Sequence, residues 1–304
     1  MNDPVETGAD GFGEAMEDTE KKVVILLCDM VRYSQKTADM RPVEIRDFIV
    51  DYHRNLQRII NTDCDEYQEI EPLAGDGAIS IFEKREGGSK SDIYDRAIRA
   101  ALNMAYAMER GTIPNTRIGI FAGDILEARI DGNIMRFGAS FSVASRLEEL
   151  CGYFNTKFLM DREVAFRQKS EKDNIVSIGK ITPNNFYHPI HVYTIYKPGI
   201  HSCPREIDRK KLSAFIKLKN DAVGLFCGNE LRGIRANFSL SREKLDEVQE
   251  LFVSMTGNKD VPSERLLEYI RNTPFPGEEF RRVGMNITRD YWKHSWNPIA
   301  VSLQ

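Results

Sequence analysis

The stretch Glu69–Glu83, which reads EIEPLAGDGAISIFE, decides the fold prediction for this chain. Two short apolar runs, residues 70–73 and 78–82, flank the turn Gly75-Asp76-Gly77. A glycine and aspartate turn between apolar runs is a strong short-range signal for a β-hairpin. The sequence therefore predicts a hairpin with an acid at its tip.

A second acid, Asp29, follows the apolar run VVILLC at residues 23–28, which is typical of a buried strand. If this strand and the hairpin are neighbours in one sheet, the carboxylates of Asp29 and Asp76 can share a cation. Two carboxylates facing a cleft suit Mg²⁺ or Mn²⁺, which leave their remaining positions to water and substrate phosphates. Taken singly, each acid is also explained as a turn former or as a polar stop after a strand.

Composition narrows the class of protein. The chain has 304 residues, 41% hydrophobic and 29% charged, with a formal net charge of -4. This balance is typical of a globular protein of one large or two ordinary domains, and it gives no general attraction to nucleic acid or to an anionic membrane. We find neither a bilayer-spanning apolar run nor a signal peptide, and therefore expect a cytoplasmic protein.

Cysteine usage argues against two kinds of site. The five cysteines are an odd number and none of them forms a CxxC pair, so we expect neither a zinc site nor a disulfide framework.

The hydrophobic pattern divides the chain into elements. Residues 1–20 are rich in acids and glycine and predict a disordered tail. Apolar residues at helical spacing predict helices at 42–60 and 92–109, and His53 beside the first stripe is predicted to be packed or exposed, with no role as a metal ligand. The glycines of the strand at 116–124 indicate close approach by another backbone.

A further helix is predicted to begin after Gly138 and to run to Cys151. Ser142, Arg146 and Glu149 fall together on a face that does not carry the apolar residues. An arginine there could stabilise the charge of a phosphate, although a solvated surface arginine is the ordinary alternative.

The composition changes beyond Pro198-Gly199. A basic run at 205–211 predicts a linker or a first helix, glycines and short apolar runs at 220–238 suggest strands, and Ser241 is predicted to cap a helix. Another helix is predicted at 263–271, and the tryptophans near the chain end are predicted to anchor it onto the core. This part of the chain contains no catalytic constellation.

The order of four motifs resembles class III nucleotidyl cyclases. Their sequences are CDMVRYS at 28–34, LAGDG at 73–77, RIGIFAG at 117–123 and GASFSVASRLE at 138–148. The run HPIHVYTIY at 188–196 is similar to the closing strand of that family. The resemblance covers about residues 21–198, and the set of motifs is specific although each motif alone is weak.

The resemblance implies a fold and a site. The fold is α+β, a ferredoxin-like cyclase sandwich at residues 21–198, with a smaller accessory or sensor domain at 199–304. Asp29 and Asp76 match the family's two metal-binding aspartates, with the Met30 carbonyl as a further ligand for two Mn²⁺ or Mg²⁺ ions per site. Arg146 matches the transition-state arginine, and the family works as a head-to-tail homodimer in which each site takes the aspartates from one subunit and the arginine from the other.

Three positions depart from the family pattern. Purine cyclases of this family read their base with a lysine and with an aspartate or threonine, and those positions here hold Pro72 and Met135. Neither side chain offers a conventional hydrogen bond to a purine edge. Ser142 replaces the transition-state asparagine. Since the acids and the arginine are in register, another base is favoured over loss of catalysis.

This combination resembles the pyrimidine cyclases of bacterial anti-phage signalling, which supply a cyclic nucleotide to a separate effector protein. The expected reaction converts UTP to cyclic UMP and diphosphate, and CTP, ATP or a non-catalytic nucleotide-binding dimerisation module are the alternatives. Tyr33, Arg32 and Arg136 are candidate contacts to the base or the phosphates, with Tyr33 equally explained by packing. The family's triphosphate-binding lysine has no clear counterpart, and Lys157, Lys180 or Arg32 are candidates for its role.

Overall fold

The computed structural model describes residues 19–64, 67–73, 75–89, 91–130, 133–229 and 232–287. The predicted acidic tail, apart from residues 19 and 20, lies outside the described residues, as do Trp292 and Trp296. Residues 19 and 20 already belong to the first strand, so the tail was predicted two residues too long.

One sheet runs through the molecule. Within the described residues it has nine strands in the order β2-β3-β1-β4-β6-β8-β7-β9, and β5 pairs with β4. The strands are β1 (Thr19–Met30), β2 (Glu71–Pro72), β3 (Ala78–Glu83), β4 (Thr116–Ile130), β5 (Asn133–Phe137), β6 (Phe158–Asp161), β7 (Ile175–Thr182), β8 (Ile190–Ile195) and β9 (Met285–Asn286).

The long strand β1 lies near the middle of the sheet. It pairs antiparallel with β3, where Cys28 is opposite Ala78, and with β4, where Asp29 is opposite Arg117. Residues 23–26 are fully buried because helices cover both faces of the sheet. β1 extends to Met30, so Asp29 lies within the strand and the pairing with β4 continues past the acid.

Helices cover the sheet on both faces. Buried side chains of α2 and α3 pack on one face, and α4 packs on the other against Val23, Ile25 and Ile125. The predicted helices at 42–60 and 92–109 are confirmed. The helices are α1 (Tyr33–Thr37), α2 (Pro42–Ile60), α3 (Asp92–Glu109), α4 (Ala139–Phe154), α5 (Arg162–Arg167), α6 (Arg209–Cys227), α7 (Phe238–Thr256), α8 (Val261–Asn272) and α9 (Glu278–Val283).

The described part of residues 199–287 packs on the same sheet. Buried side chains of α6, α7 and α8 form one apolar cluster with α4, β7 and β8. β9 adds to the sheet edge in parallel with β7, with Met285 opposite Ile181. The division into domains at 198/199 stays a prediction, because a shared core does not decide whether the parts fold separately.

Two predictions in this region were wrong. In the segment predicted as strands at 220–238, residues 220–227 are the end of α6, whose buried side chains recur at helical spacing. The described residues between α6 and α7 contain only an isolated bridge between Asn229 and Ile234. The cap of α7 is Asn237, whose side chain accepts a hydrogen bond from Leu240 N. Ser241 instead lies within the helix, where its hydroxyl donates to the Ala222 carbonyl at 2.9 Å.

A buried ion pair joins the C-terminal helices to the end of β8. Lys219 Nζ on α6 lies 2.6 Å from Asp260 Oδ2 at the start of α8, and both side chains are 0% exposed. The Tyr196 hydroxyl donates to the other Asp260 oxygen at 2.5 Å. Each charged group therefore has a partner, which burial of a charge requires.

None of the helices in the described residues is both long and apolar enough to cross a membrane.

Candidate active site

The two predicted acids lie side by side. The antiparallel register of β1 and β3 places Asp29, near the end of β1, beside the turn that precedes β3 and carries Asp76. Asp76 is 7% exposed, and its Oδ2 accepts a hydrogen bond from the Met30 N–H at 2.8 Å. This bond fixes the turn against β1, so the fold itself holds the second carboxylate next to the first.

The pKa of Asp29 reflects its proximity to Asp76. Burial raises the pKa of Asp29, and the neighbouring Asp76 carboxylate, within hydrogen-bonding reach, raises it further. Arg117 opposes both effects by stabilising the charged form. Two carboxylates held together in this way repel each other, and a cation between them relieves that repulsion.

The residues fit a hard divalent cation. Among the described residues, no group of three or more His, Cys, Asp or Glu side chains could hold a metal ion. The neighbouring carboxylates of Asp29 and Asp76 suit Mg²⁺ or Mn²⁺, whose coordination water and phosphate oxygens complete. The role of the Met30 carbonyl as a ligand stays a prediction; the observed contribution of Met30 is its N–H bond to Asp76.

Arg117 is a site residue that the sequence reasoning missed. It lies opposite Asp29 on β4, and its Nη2 donates to Asp29 Oδ2 at 3.0 Å. Its Nε lies 2.5 Å from Oε1 of Glu148 on α4, an ion pair without the alignment of a hydrogen bond. Burial raises the pKa of Glu148, and the charge of Arg117 opposes this shift by stabilising the carboxylate. The one available signal was a basic residue at the start of the RIGIFAG strand, and the pairing of this strand with β1 was not predicted.

Helix α4 positions the predicted catalytic arginine. Arg146 Nη1 contacts both carboxylate oxygens of Glu149 in the same helix, at 2.5 and 2.6 Å, and Ser142 on the same side is exposed. The predicted grouping of these side chains on one face is confirmed. Arg146 is thus engaged within α4, on a surface that a second molecule can reach.

The predicted base-pocket positions lie on two edge strands. Pro72 on β2 is exposed, and Met135 on β5 is 44% exposed. Arg136, next to Met135, forms ion pairs with Glu71 at 2.7 Å and with Glu127 at 3.2 Å. The Arg136–Glu71 pair therefore joins the two strands that carry these positions.

The remaining candidates lie in different parts of the fold. Arg32 is exposed, in a left-handed backbone conformation before α1, and Tyr33 packs against the core with its ring beside Gly75. His53 lies beneath the turn, where burial lowers its pKa and the backbone of Asp76 and Gly77 partly restores it. Lys157 Nζ donates to Asn115 at 3.1 Å, and Lys180 Nζ donates to the Arg281 carbonyl.

A cavity of about 390 Å³ lies away from the acids. The β7–β8 connection and α9 line it, with Tyr187 and Arg282 among its residues. The side chain of Asp29 is 36% exposed, so in a single chain this acid is partly open to solvent, while Asp76 beside it is buried.

No family model matches the chain, and no curated protein is significantly similar to it. Among solved structures, a bacterial light-regulated adenylyl cyclase is similar at 18% identity with a TM-score of 0.50, over 68% of this chain and 60% of that one. The adenylyl cyclase CyaB from P. aeruginosa has 18% identity and a TM-score of 0.49, over 60% and 97% of the two chains. The guanylate cyclase domain of RhGC from Catenaria anguillulae has 16% identity and a TM-score of 0.47, over 59% and 100%.

The likeness to the light-regulated enzyme shows the fold. The aligned region spans 60% of the length of that structure. The predicted fold class is confirmed: the chain has the class III nucleotidyl cyclase fold, a mixed sheet with helices on both faces.

Proposed function

We propose that the chain is a divalent-cation-dependent nucleotidyl cyclase, which converts a nucleoside triphosphate to its 3′,5′-cyclic monophosphate and diphosphate. The supporting observation is that Asp29 and Asp76, distant in the sequence, lie side by side at a turn that the Met30 N–H holds in place. The fold agrees with this activity, which is the one named for the similar structures.

In the proposed reaction Asp29 and Asp76 bind Mn²⁺ or Mg²⁺ together with the triphosphate. Bound ions would supply charge neutralisation and would lower the pKa of the ribose 3′-hydroxyl, whose in-line attack on the α-phosphorus would release diphosphate. No protein side chain is required as a general base for the 3′-hydroxyl. Arg146 donates hydrogen bonds to the phosphate oxygens as negative charge develops, for which its planar fork of donors is suited.

The proposed catalytic unit is a head-to-tail homodimer. Arg146 is partly exposed and contacts Glu149 of its own helix, while Asp29 of the same chain is partly open to solvent. A second copy would supply its Arg146 to these acids, and two equivalent sites follow from the two-fold symmetry. Ser142 would occupy the position of the family's asparagine on the same helix face.

We further propose a pyrimidine substrate, with UTP ahead of CTP. Pro72 and Met135 offer no conventional hydrogen bond to a purine edge. Arg136 and Glu71 beside them offer a donor and an acceptor, although they are paired with each other in this structure. Tyr33 and Arg32 remain candidate contacts to the base or phosphates.

The cyclic nucleotide would act in the cytoplasm on a separate effector protein in anti-phage defence, as the resemblance to pyrimidine cyclases implies. Residues 199–304 would be an accessory or sensor domain. The core that α6, α7 and α8 share with α4 provides a physical route from this region to the helix that carries Arg146.

Product analysis with each of the four nucleoside triphosphates and Mn²⁺ tests the proposal. Cyclic UMP formed only from UTP is the expected result, and cyclic CMP formed only from CTP would support the runner-up substrate. Turnover of ATP would instead indicate an adenylate cyclase with an unusual pocket. Thermal stabilisation by a nucleotide without any product would indicate a binding and dimerisation module and would overturn the proposed activity.

Asp76→Asn is the sharper variant for the metal assignment. Asp76→Ala would leave the buried Met30 N–H without an acceptor, at a cost of about 1–3 kcal/mol in stability, so a loss of activity could reflect misfolding. Asn keeps an acceptor for Met30 and removes the charge. We expect Asp76→Asn to lower kcat by at least about 100-fold with a nearly unchanged Tm; wild-type turnover would contradict the assignment.

A further inference from the structure

Arg117 bridges the proposed divalent site and helix α4. Its guanidinium reaches Asp29 Oδ2 at 3.0 Å on one side and Glu148 Oε1 at 2.5 Å on the other. The Glu148 side chain is 6% exposed and that of Arg117 is 26% exposed, so the arginine has two carboxylate partners of unequal access to solvent.

A divalent cation and Arg117 compete for the same acid. The cation needs oxygens of Asp29 and Asp76, and one oxygen of Asp29 already accepts from Arg117. A fixed positive charge at this distance opposes cation binding unless it is drawn away or balanced by another negative group.

Glu148 is placed to balance that charge. Helix α4 lies so close to β4 that a side-chain carbon added at Gly119 would overlap the Ala144 carbonyl and lie 2.5 Å from Glu148 N. The position of Glu148 is therefore fixed relative to Arg117. Its contact with Arg117 lacks hydrogen-bond alignment, and Oε1 has no other hydrogen-bond partner among the described residues. If the guanidinium moved away from Asp29, Glu148 would remain as its charged partner.

We propose that Arg117 is the internal counter-ion of Asp29, and that it is transferred to Glu148 when a divalent cation binds. Glu148 is then a positioning residue that sets the divalent affinity through Arg117 without touching the ion. The inference rests on the divalent site proposed above. It also connects occupancy of that site to α4, the helix that carries Arg146.

Mn²⁺ titrations of the full chain without nucleotide, followed by electron paramagnetic resonance of the free ion, test the transfer. Glu148→Gln should weaken Mn²⁺ binding about tenfold, because Arg117 keeps Asp29 as its one charged partner. Arg117→Gln should tighten binding by a similar factor. The double variant should bind as Arg117→Gln does, since Glu148 acts only through the arginine.

Glu149→Gln is the matched control, because it removes the same charge from the next residue of α4, which contacts Arg146 and not Arg117. Its Mn²⁺ affinity should stay at the wild-type value. Equal weakening by both glutamines would overturn the transfer and indicate a general charge effect. Wild-type affinity in folded Glu148→Gln would overturn it as well.

The test separates this inference from the proposed function. If Asp29→Asn leaves Mn²⁺ binding unchanged, the divalent site itself is wrong. If Asp29→Asn abolishes binding while Glu148→Gln leaves it unchanged, the site stands and only the transfer fails. If Arg117→Gln fails to fold because it leaves the buried Glu148 carboxylate unpaired, the Arg117→Gln/Glu148→Gln double variant replaces it, since it removes both charges. This double variant should also bind Mn²⁺ more tightly than the wild type.

Discussion

At the scale of the residue, His201 shows how burial fixes a protonation state. Its Nε2 accepts a hydrogen bond from Lys157 N at 3.0 Å, so its Nδ1 carries the proton and donates to the Ile195 carbonyl at 3.0 Å. Both ring nitrogens are satisfied only in the neutral form. Burial, with the charges of Lys157 and Lys219, lowers the pKa of His201 to about 3.

A pH-dependent loss of stability follows. The unfolded chain binds a proton at this histidine below about pH 6.5 and the folded chain does so only near pH 3, so the free energy of unfolding falls as the pH falls through that window. The contribution is about 1.4 kcal/mol per pH unit. His201→Asn, which tolerates the positive φ of 53° at this position, should flatten the dependence.

Urea unfolding between pH 4.5 and 7 measures this slope in the wild type and in His201→Asn. His188→Asn is the matched control, because His188 is exposed. Parallel stability curves for wild type and His201→Asn would mean that His201 takes up its proton equally in both states.

The sequence was sufficient to select Asp29 and Asp76 because each acid borders an apolar run with a clear secondary-structure signal. Arg117, Glu148 and Glu71 were missed, since an ion pair between distant strands and helices leaves no local pattern. Their roles depend on strand register, and a shift of one residue would turn Arg117 to the other face of the sheet.

At the scale of the element, the contact between α4 and β4 determines where the helix of Arg146 lies. The sequence analysis expected close backbone approach at the glycines of this strand, and Gly119 confirms it. The α6 segment was predicted wrongly for a related reason: Gly224 suggested a strand, but it lies on an exposed helix surface with open space around it. The presence of a glycine does not by itself show whether a side chain at that position would clash with its surroundings.

Two glycine-to-alanine substitutions should therefore have opposite effects on stability. Gly119→Ala forces a carbon into the backbone of α4 and should cost about 3 kcal/mol or more in the free energy of unfolding. Gly224→Ala should stabilise the protein by up to about 1 kcal/mol, because it removes backbone freedom from the unfolded chain without a clash. Chemical denaturation compares them; a tolerated Gly119→Ala would show that α4 can move away from the sheet.

At the scale of the whole molecule, the sheet and its cores extend well past the motifs that predicted the fold. The C-terminal helices pack against α4, and β9 pairs with β7 across more than 100 residues of sequence. Such long-range packing could not be predicted from local periodicity, which specifies that an apolar face is buried but not what covers it. The helices and strands of residues 21–198 could be predicted because each has a characteristic spacing of apolar residues and is bounded by turn residues.

The homodimer proposal gives the most demanding prediction. In a heterodimer of Asp76→Asn and Arg146→Ala chains, one site carries both substitutions and the other combines an intact acid pair with an intact arginine. A heterodimer purified through two different tags should recover about half of the wild-type activity, although each parent homodimer is inactive.

The control pairs Asp76→Asn with Asp29→Asn. Both acids belong to the same half of a site, so each site of that heterodimer keeps one damaged acid pair and should stay inactive. Recovery in the control would mean that Asp29 and Asp76 of one site come from different subunits, and it would contradict the proposed arrangement. No recovery in the first heterodimer, once its composition is verified, would place the acids and Arg146 in one chain; the symmetric two-site arrangement would then be abandoned, because a site complete within one protomer cannot be repaired by its partner.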